Sequence, residues 1–395
     1  MVYISQNGLR FFVYRHLGLA GCNIAIMSNE LNNLTIGIEE EYQIIDTNTR
    51  ELTSYISEFL DQGAVLFRDQ LQPELLQSQV EIGTKVCDNI EDVSQEIKRL
   101  RKMVSALAQE NNCSIIAAGT HPFSSWENQV ITEKDRYYGF VDSMQMVAKR
   151  LLIFGMHVHI GIEDRDLRID IMNQMRYFMP HILCFSTSSP FWRGENTGFK
   201  SYRSIVFEDL PRTGTPEYFD SAASYDNYVE TLINSGCIDE ATKIWWDIRP
   251  HPKFPTLEFR ICDCTTKVEE VITIAAVIQA LVKKLIRLRS KNMTWRPYRS
   301  GFIAENKWRA MRDGTKGKLI DFGKNVELPI SDLMNELLDF IDDVVDELGT
   351  RTEVEYVQNI IKEGSSADRQ LEKYAETGDL KDVVDMLIKE TLIGC

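Results

Sequence analysis

No stretch of the sequence stays apolar long enough to cross a bilayer. The longest run, Ile272–Val282, is interrupted by Gln279 and falls short of the roughly 20 residues a spanning helix needs. Cysteine is scattered: eight residues, none in a CxxC pair, with Cys262 and Cys264 the nearest neighbours. This argues against a zinc site and reads as reduced thiols in a cytoplasmic protein. A Walker loop, GxxxxGK[ST], is missing, and so is GxGxxG, so the sequence encodes no glycine cradle for phosphates. Positive charge is in deficit, with 44 Lys and Arg against 59 Asp and Glu, a net −15. That balance argues against nucleic-acid binding, whose footprint is a basic patch. It does not exclude anionic small molecules, since local arginines or a bound cation override net charge. There is no internal repeat and no low-complexity linker, hence no firm domain boundary in 395 residues.

What is present begins with Ile36–Ile45, IGIEEEYQII, which alternates as a strand does. Gly37, Glu39, Glu41 and Gln43 share one face. Ile36, Ile38, Tyr42 and Ile44 share the other, with Glu40 out of place among them. The design recurs. Gln79, Glu81 and Gly83 lie opposite Val80 and Ile82, with Glu74 seven residues before Glu81. In a strand expected over Leu151–Ile162, His157, His159 and Gly161 lie opposite Met156, Val158 and Ile160. In Pro255–Asp263, Glu258, Arg260 and Cys262 lie opposite Leu257, Phe259 and Ile261, and Arg249 ends KIWWDIR. Between these strands, Asp88 is expected to cap a helix reaching about Glu110, and Val268–Arg289 and Ala304–Asp313 read as further helices.

One such strand is an ordinary solvated edge. Four suggest an α+β fold: a sheet with helices on one side and a wet cavity on the other, because those charges cannot be buried unpaired. The cavity is expected to hold Glu39, Glu41, Glu81, His157 and Glu258, with Glu74 beside them. Hard oxygen donors with one imidazole suit magnesium or manganese better than zinc. Arg249, Arg260 and, from a loop, Arg203 stand next to them. Divalent cations plus arginines are what phosphoryl transfer from ATP requires.

The segments GIEEEYQIID, QSQVEIGT, GMHVHIGI, SYRS followed by LPRTG, and LEFRICD occur in that order. Together they resemble the bacterial carboxylate–amine ligases, or glutamate–cysteine ligase type 2, of the glutamine synthetase-like superfamily. The resemblance runs from about Leu34 to Asp313. It implies a curved, mainly antiparallel sheet forming a funnel, helices on its outer face, and magnesium ions inside. It carries the metal-ligand pattern onto Glu39 and Glu41, Glu81 with Glu74, His157 and Glu258. Arg260 is the implied catalytic residue, and Arg203, Arg249 and Arg260 are the implied contacts to substrate carboxylate or ATP. Glu40 falls outside this pattern, and His159 is expected to be structural.

The implied reaction is ATP-dependent amide formation through an acyl phosphate, joining the glutamate γ-carboxylate to cysteine or another amine. Three rivals share the same residues: a guanidino kinase-like phosphotransferase, a metal-dependent hydrolase, and a non-catalytic nucleotide-binding protein. Residues 1–33, where Met27 offers a later start, read as an N-terminal extension. Residues 34–315 are the expected catalytic domain and 316–395 acidic helices packed on it. The expected partners are small-molecule substrates, with neither nucleic acid nor membrane, and the expected assembly is a homodimer.

Overall fold

A computed structural model describes residues 34–56 and 67–395. Residues 1–33, expected as an N-terminal extension, and residues 57–62 of a short helix that the sequence predicts over Ser54–Gln62 lie outside them. Seven strands form the main sheet: β1 Ile36–Asp46, β2 Leu71–Pro73, β3 Gln79–Gly83, β4 Cys113–Ile116, β5 Met156–Gly161, β6 Ile248–Pro250 and β7 Thr256–Phe259. Their order is β6-β7-β5-β1-β3-β2, with β4 also paired to β1, and all pairings are antiparallel. The sheet is open and mixed with helices, as the sequence leads one to expect. The 11-residue β1 is its organiser: β3 lies along one edge, and β5 and then β4 share the other.

The apolar face of this sheet meets helices α1 (Ile90–Glu110) and α2 (Val268–Ser290). On α1, Val93, Ile97, Leu100 and Val104 follow the helical period and are fully buried. Its cap is Asn89, not Asp88: the Asn89 side chain accepts the Asp92 N–H at 2.9 Å. Replacing such a cap by alanine costs about 1 kcal/mol. Helix α2 is apolar nearly all round and correspondingly buried. Gln279, which interrupts its apolar run, donates to the Leu34 carbonyl at 2.9 Å and so ties the helix to the start of β1.

Two strands end earlier than their apolar patterns suggest. The apolar run Cys113–Thr120 reads as one strand, but the regular pairing of β4 stops at Ile116; that of β7 stops at Phe259, so Cys262 and Cys264 follow the strand. No pair of cysteines is bridged among the described residues. Helix α3 (Ser300–Asp313) packs beside a hairpin, Lys318–Asp321 with Val326–Pro329, that alternation alone did not reveal. Helix α4 (Ile330–Leu348) adds Leu333, Leu337, Ile341 and Val344 to the main core. From the last helix, α5 (Leu380–Thr391), Val383, Val384 and Leu387 close over Ile45, Ile116 and Phe191. No described helix is long and apolar enough to cross a membrane.

Candidate active site

Strand register builds the site. Arg249 pairs with Glu258, Glu258 with His159, and His159 with Gly37, making one row across four strands. Two residues along β1, the next row on the same face is His157, Glu39 and Gly83. Two further, Glu41 stands opposite Glu81. The intervening rows are Ile248–Phe259–Val158–Ile38 and Met156–Glu40–Ile82, which belong to the apolar face. A side-chain period of two therefore collects charged residues from distant parts of the chain on one surface.

That surface lines a cavity of about 370 Å³. Glu39, Glu41, Glu74, Glu81, His157, Arg203, Arg249, Glu258 and Arg260 all border it. Every residue that the sequence reading assigned to the site is therefore brought to one place. Glu40 is not: it is fully buried on the opposite face against Arg101.

The carboxylates differ sharply in electrostatics. Burial pushes the Glu39 carboxyl up, but hydrogen bonds from His157 and His159 outweigh it and hold Glu39 well below the usual range. Glu74 is pushed up to about 7, first by burial and then by the Glu41 charge. Burial and the charges of Glu74, Glu39 and Glu41 drive Glu81 well up. Burial also acts on Glu258, yet Arg260 and Arg249 overcome it and keep this carboxyl ionised. Carboxylates that raise one another's pKa lack a counter-cation. Their oxygens are a hard donor set, so the group fits a magnesium- or manganese-sized ion.

The two histidines exchange emphasis. His157 Nδ1 lies 2.9 Å from Glu39 Oε2 and 4.0 Å from Glu258 Oε1. Glu39, Glu258 and His159 nevertheless offer donor atoms that all lie within 4.8 Å of one another. His159 Nδ1 sits 3.2 Å from the Thr256 hydroxyl, and its buried Nε2 faces Glu39 Oε1 at 3.4 Å. The cross-strand row with Glu258 is what directs His159 inward.

The arginines also divide. Arg249 grips Glu258 with Nε at 2.7 Å and Nη2 at 3.2 Å, and its Nη1 donates to the Thr242 and Ile244 carbonyls. Four donors are thus spent on protein groups, so Arg249 mainly positions Glu258. Arg260 pairs with Glu258 through Nη1, and its Nε has no acceptor. Arg203 lies on a helical turn, Tyr202–Phe207, where a loop was expected. It is buried, its Nε is unpaired, and its Nη2 reaches the Arg260 carbonyl at 3.4 Å. A Cβ at position 155 would collide with this guanidinium, which explains Gly155 beside β5.

Sequence reasoning missed several groups. His251, in the turn joining β6 to β7, borders the cavity. Its Nδ1 accepts the Lys253 and Phe254 N–H groups at 3.2 and 2.9 Å, which assigns the ring proton to Nε2. Burial pushes it down to about 4. The signal was a histidine in a tight turn between two site strands. Arg136 and Tyr137 also line the cavity, from a helix without alternating pattern. Lys307, on α3, holds Asp247 at 2.7 Å and Glu208 at 2.8 Å, and the Asp247 carbonyl accepts the Arg260 N–H. This gives the basic helix a role beside the site strands.

The open antiparallel sheet with its packed helices has the fold of glutamate–cysteine ligases. A glutamate–cysteine ligase from Francisella tularensis, solved with AMP, superposes with a TM-score of 0.68 at 14% identity, covering 91% of this chain and 88% of that one. A bifunctional glutathione synthetase from Pasteurella multocida gives 0.69 at 13% identity, covering 94% of this chain and 54% of that one. At the sequence level, the profile of the glutamate–cysteine ligase family 2 matches residues 35–386. A Roseiflexus castenholzii protein named "Putative glutamate--cysteine ligase 2" is 57% identical over 91% of this chain and 95% of its own. A Herpetosiphon aurantiacus protein of the same name is 56% identical over 91% and 94%. The chain belongs to the glutamate–cysteine ligase family 2, and it is a ligase.

Proposed function

We propose that this protein joins a carboxylate to an amine at the expense of ATP, with the glutamate γ-carboxylate and cysteine as the leading substrate pair. The observation that supports this reading is the three-row register: it sets a cation-demanding carboxylate cluster beside guanidinium groups with unspent donors. The AMP bound by the Francisella ligase agrees with a nucleotide as co-substrate.

Glu39, Glu41, Glu74, Glu81, Glu258 and a histidine, His157 or His159, would hold magnesium or manganese. Such ions neutralise phosphate charge and orient a phosphoryl group for in-line attack. Arg260 directs its free donors at the transferring phosphoryl group, where a fixed guanidinium stabilises developing charge. Arg203 supplies a second, buried donor for a substrate carboxylate or phosphate, and Arg249 keeps Glu258 in place. The substrate carboxylate oxygen attacks the γ-phosphorus, and ADP leaves. The amine nitrogen then attacks the acyl carbon, phosphate departs, and the amine proton passes to solvent.

The proposal places the enzyme in the cytoplasm as a homodimer. The test is phosphate release from ATP and magnesium across a panel of amino acids and amines, with ADP, phosphate and amide measured together. Equal amounts of all three are expected. ADP with a phosphorylated amine would mean a phosphotransferase. Turnover without ATP would mean a hydrolase, and nucleotide binding without turnover a non-catalytic protein.

A further inference from the structure

A second positive centre lies outside the cavity described above. Arg176 occupies the turn Arg176–Phe178 that leads into the helix Met179–Phe185, and it is only 2% exposed. Among the described residues its guanidinium makes no hydrogen bond and no ion pair, and its buried Nε has no acceptor. Arg101 shows what a satisfied buried arginine looks like, with all its nitrogens bonded to Glu40 and three carbonyls. Only Nε is sealed; the terminal nitrogens border open space, where an anion would supply the counter-charge that the protein does not.

Arg176 borders a separate cavity of about 710 Å³, with Glu217, Tyr218, Tyr298, Arg299 and Ser300 around it. The N-terminus of α3, a 14-residue helix, opens onto the same space. Its N-cap residue, Arg299, provides no side-chain cap, and its first turn has no acidic residue. The backbone N–H groups of Ser300 and Gly301 find no acceptor among the described residues, and open space adjoins Gly301. A helix N-terminus carries about half a positive charge. The opposing charge is Glu217, which is exposed and forms no ion pair with Arg176.

We propose that this cavity binds a small oxyanion, a carboxylate or a phosphate group, between the Arg176 guanidinium and the N-terminus of α3. The terminal nitrogens of Arg176 approach the anion's oxygens from one side, the helix N–H groups and the Ser300 hydroxyl from the other, and the aromatic rings wall the sides. Glu217 competes for the same guanidinium.

The experiment is titration calorimetry of the full chain at constant ionic strength, using inorganic phosphate and, separately, glutamate. Because the first cavity also holds arginines, variants assign the heat. Glu217→Gln removes the competitor at an exposed position and is expected to tighten one probe about threefold, the scale of a single exposed charge. Arg176→Lys keeps the charge but loses the fork and is expected to weaken the same probe about tenfold. A response to phosphate alone assigns a phosphate group, and a response to glutamate alone assigns a carboxylate. If Arg176→Lys melts early, Glu217→Gln decides by itself. Wild-type affinity for both probes in Glu217→Gln would overturn the proposal, and a lowered melting temperature beside it would make Glu217 the internal partner of Arg176.

Discussion

Glu40 and Glu41 are adjacent in the chain and occupy opposite electrostatic worlds. Glu40 is sealed under the sheet. Arg101 pairs with it, the Tyr42 hydroxyl donates to it at 2.6 Å, and the remaining Arg101 donors reach the carbonyls of Thr265, Thr266 and Thr391. Every charge there has its counterpart within the protein. On the other face, Glu41 stands opposite Glu81 and near Glu74, and its charge adds to the burial that pushes both of those carboxyls up. The first region is complete without a ligand. The second is not. A buried charge that is satisfied internally holds a fold together, whereas a cluster that is not awaits something from outside.

The largest effect expected from this contrast is on folding. Arg101→Met leaves the buried Glu40 carboxyl without its partner, which costs about 3–5 kcal/mol. Urea unfolding measures it, and Glu40→Met added to the same chain is expected to recover most of the loss. A mild effect of the single substitution would place Glu40 in contact with water and erase the contrast.

The matching change on the cavity side is Arg260→Lys. It should leave the melt unchanged and lower phosphate release about a hundredfold or more, because lysine cannot reproduce a fork against two phosphoryl oxygens. A variant that melts normally and turns over within a few-fold of wild type would make Arg260 a simple partner of Glu258.

The histidines sharpen the comparison within the cavity. His159→Asn is expected to raise the magnesium concentration needed for half-maximal turnover about tenfold, the scale on which lost ligand interactions act. An unchanged magnesium dependence in His159→Asn, with a rise in His157→Asn, would return the ligand role to His157.

The smallest effect belongs to another internally satisfied charge. Burial pushes the Asp368 carboxyl up, but Lys200 at 2.7 Å, Thr315 at 2.9 Å and the Ser365 N–H at 3.0 Å outweigh it and hold it below its ordinary value. Its folded pKa is depressed, so the stabilisation is present above the unfolded value, about 3.9, and fades as pH falls through the lower folded one. Asp368→Asn is expected to cost about 1–2 kcal/mol near neutrality. Its penalty should shrink in acid, as melts recorded between neutral pH and pH 3 would show.

Alternation by itself determined which residues share the polar face of the sheet. Glu39 and Glu41, His157 and His159, and Glu258 and Arg260 are each two apart, and on a strand that spacing decides the face whatever the neighbours are. The same rule set Glu40 apart. The helical period likewise revealed α1 and α2, whose apolar residues recur every three to four positions over many turns. What pairs with what was decided only in three dimensions. Arg101 on α1 carries no sign of becoming Glu40's partner 61 residues away. Nothing in KIWWDIR says that Arg249 spends its donors on Glu258 and two carbonyls. His251 and Lys307 enter through a turn and a helix that no strand pattern marks. Periodicity is a property of consecutive residues and is readable from their order. Charge compensation depends on distances across the sheet, and those exist only once the strands are in register.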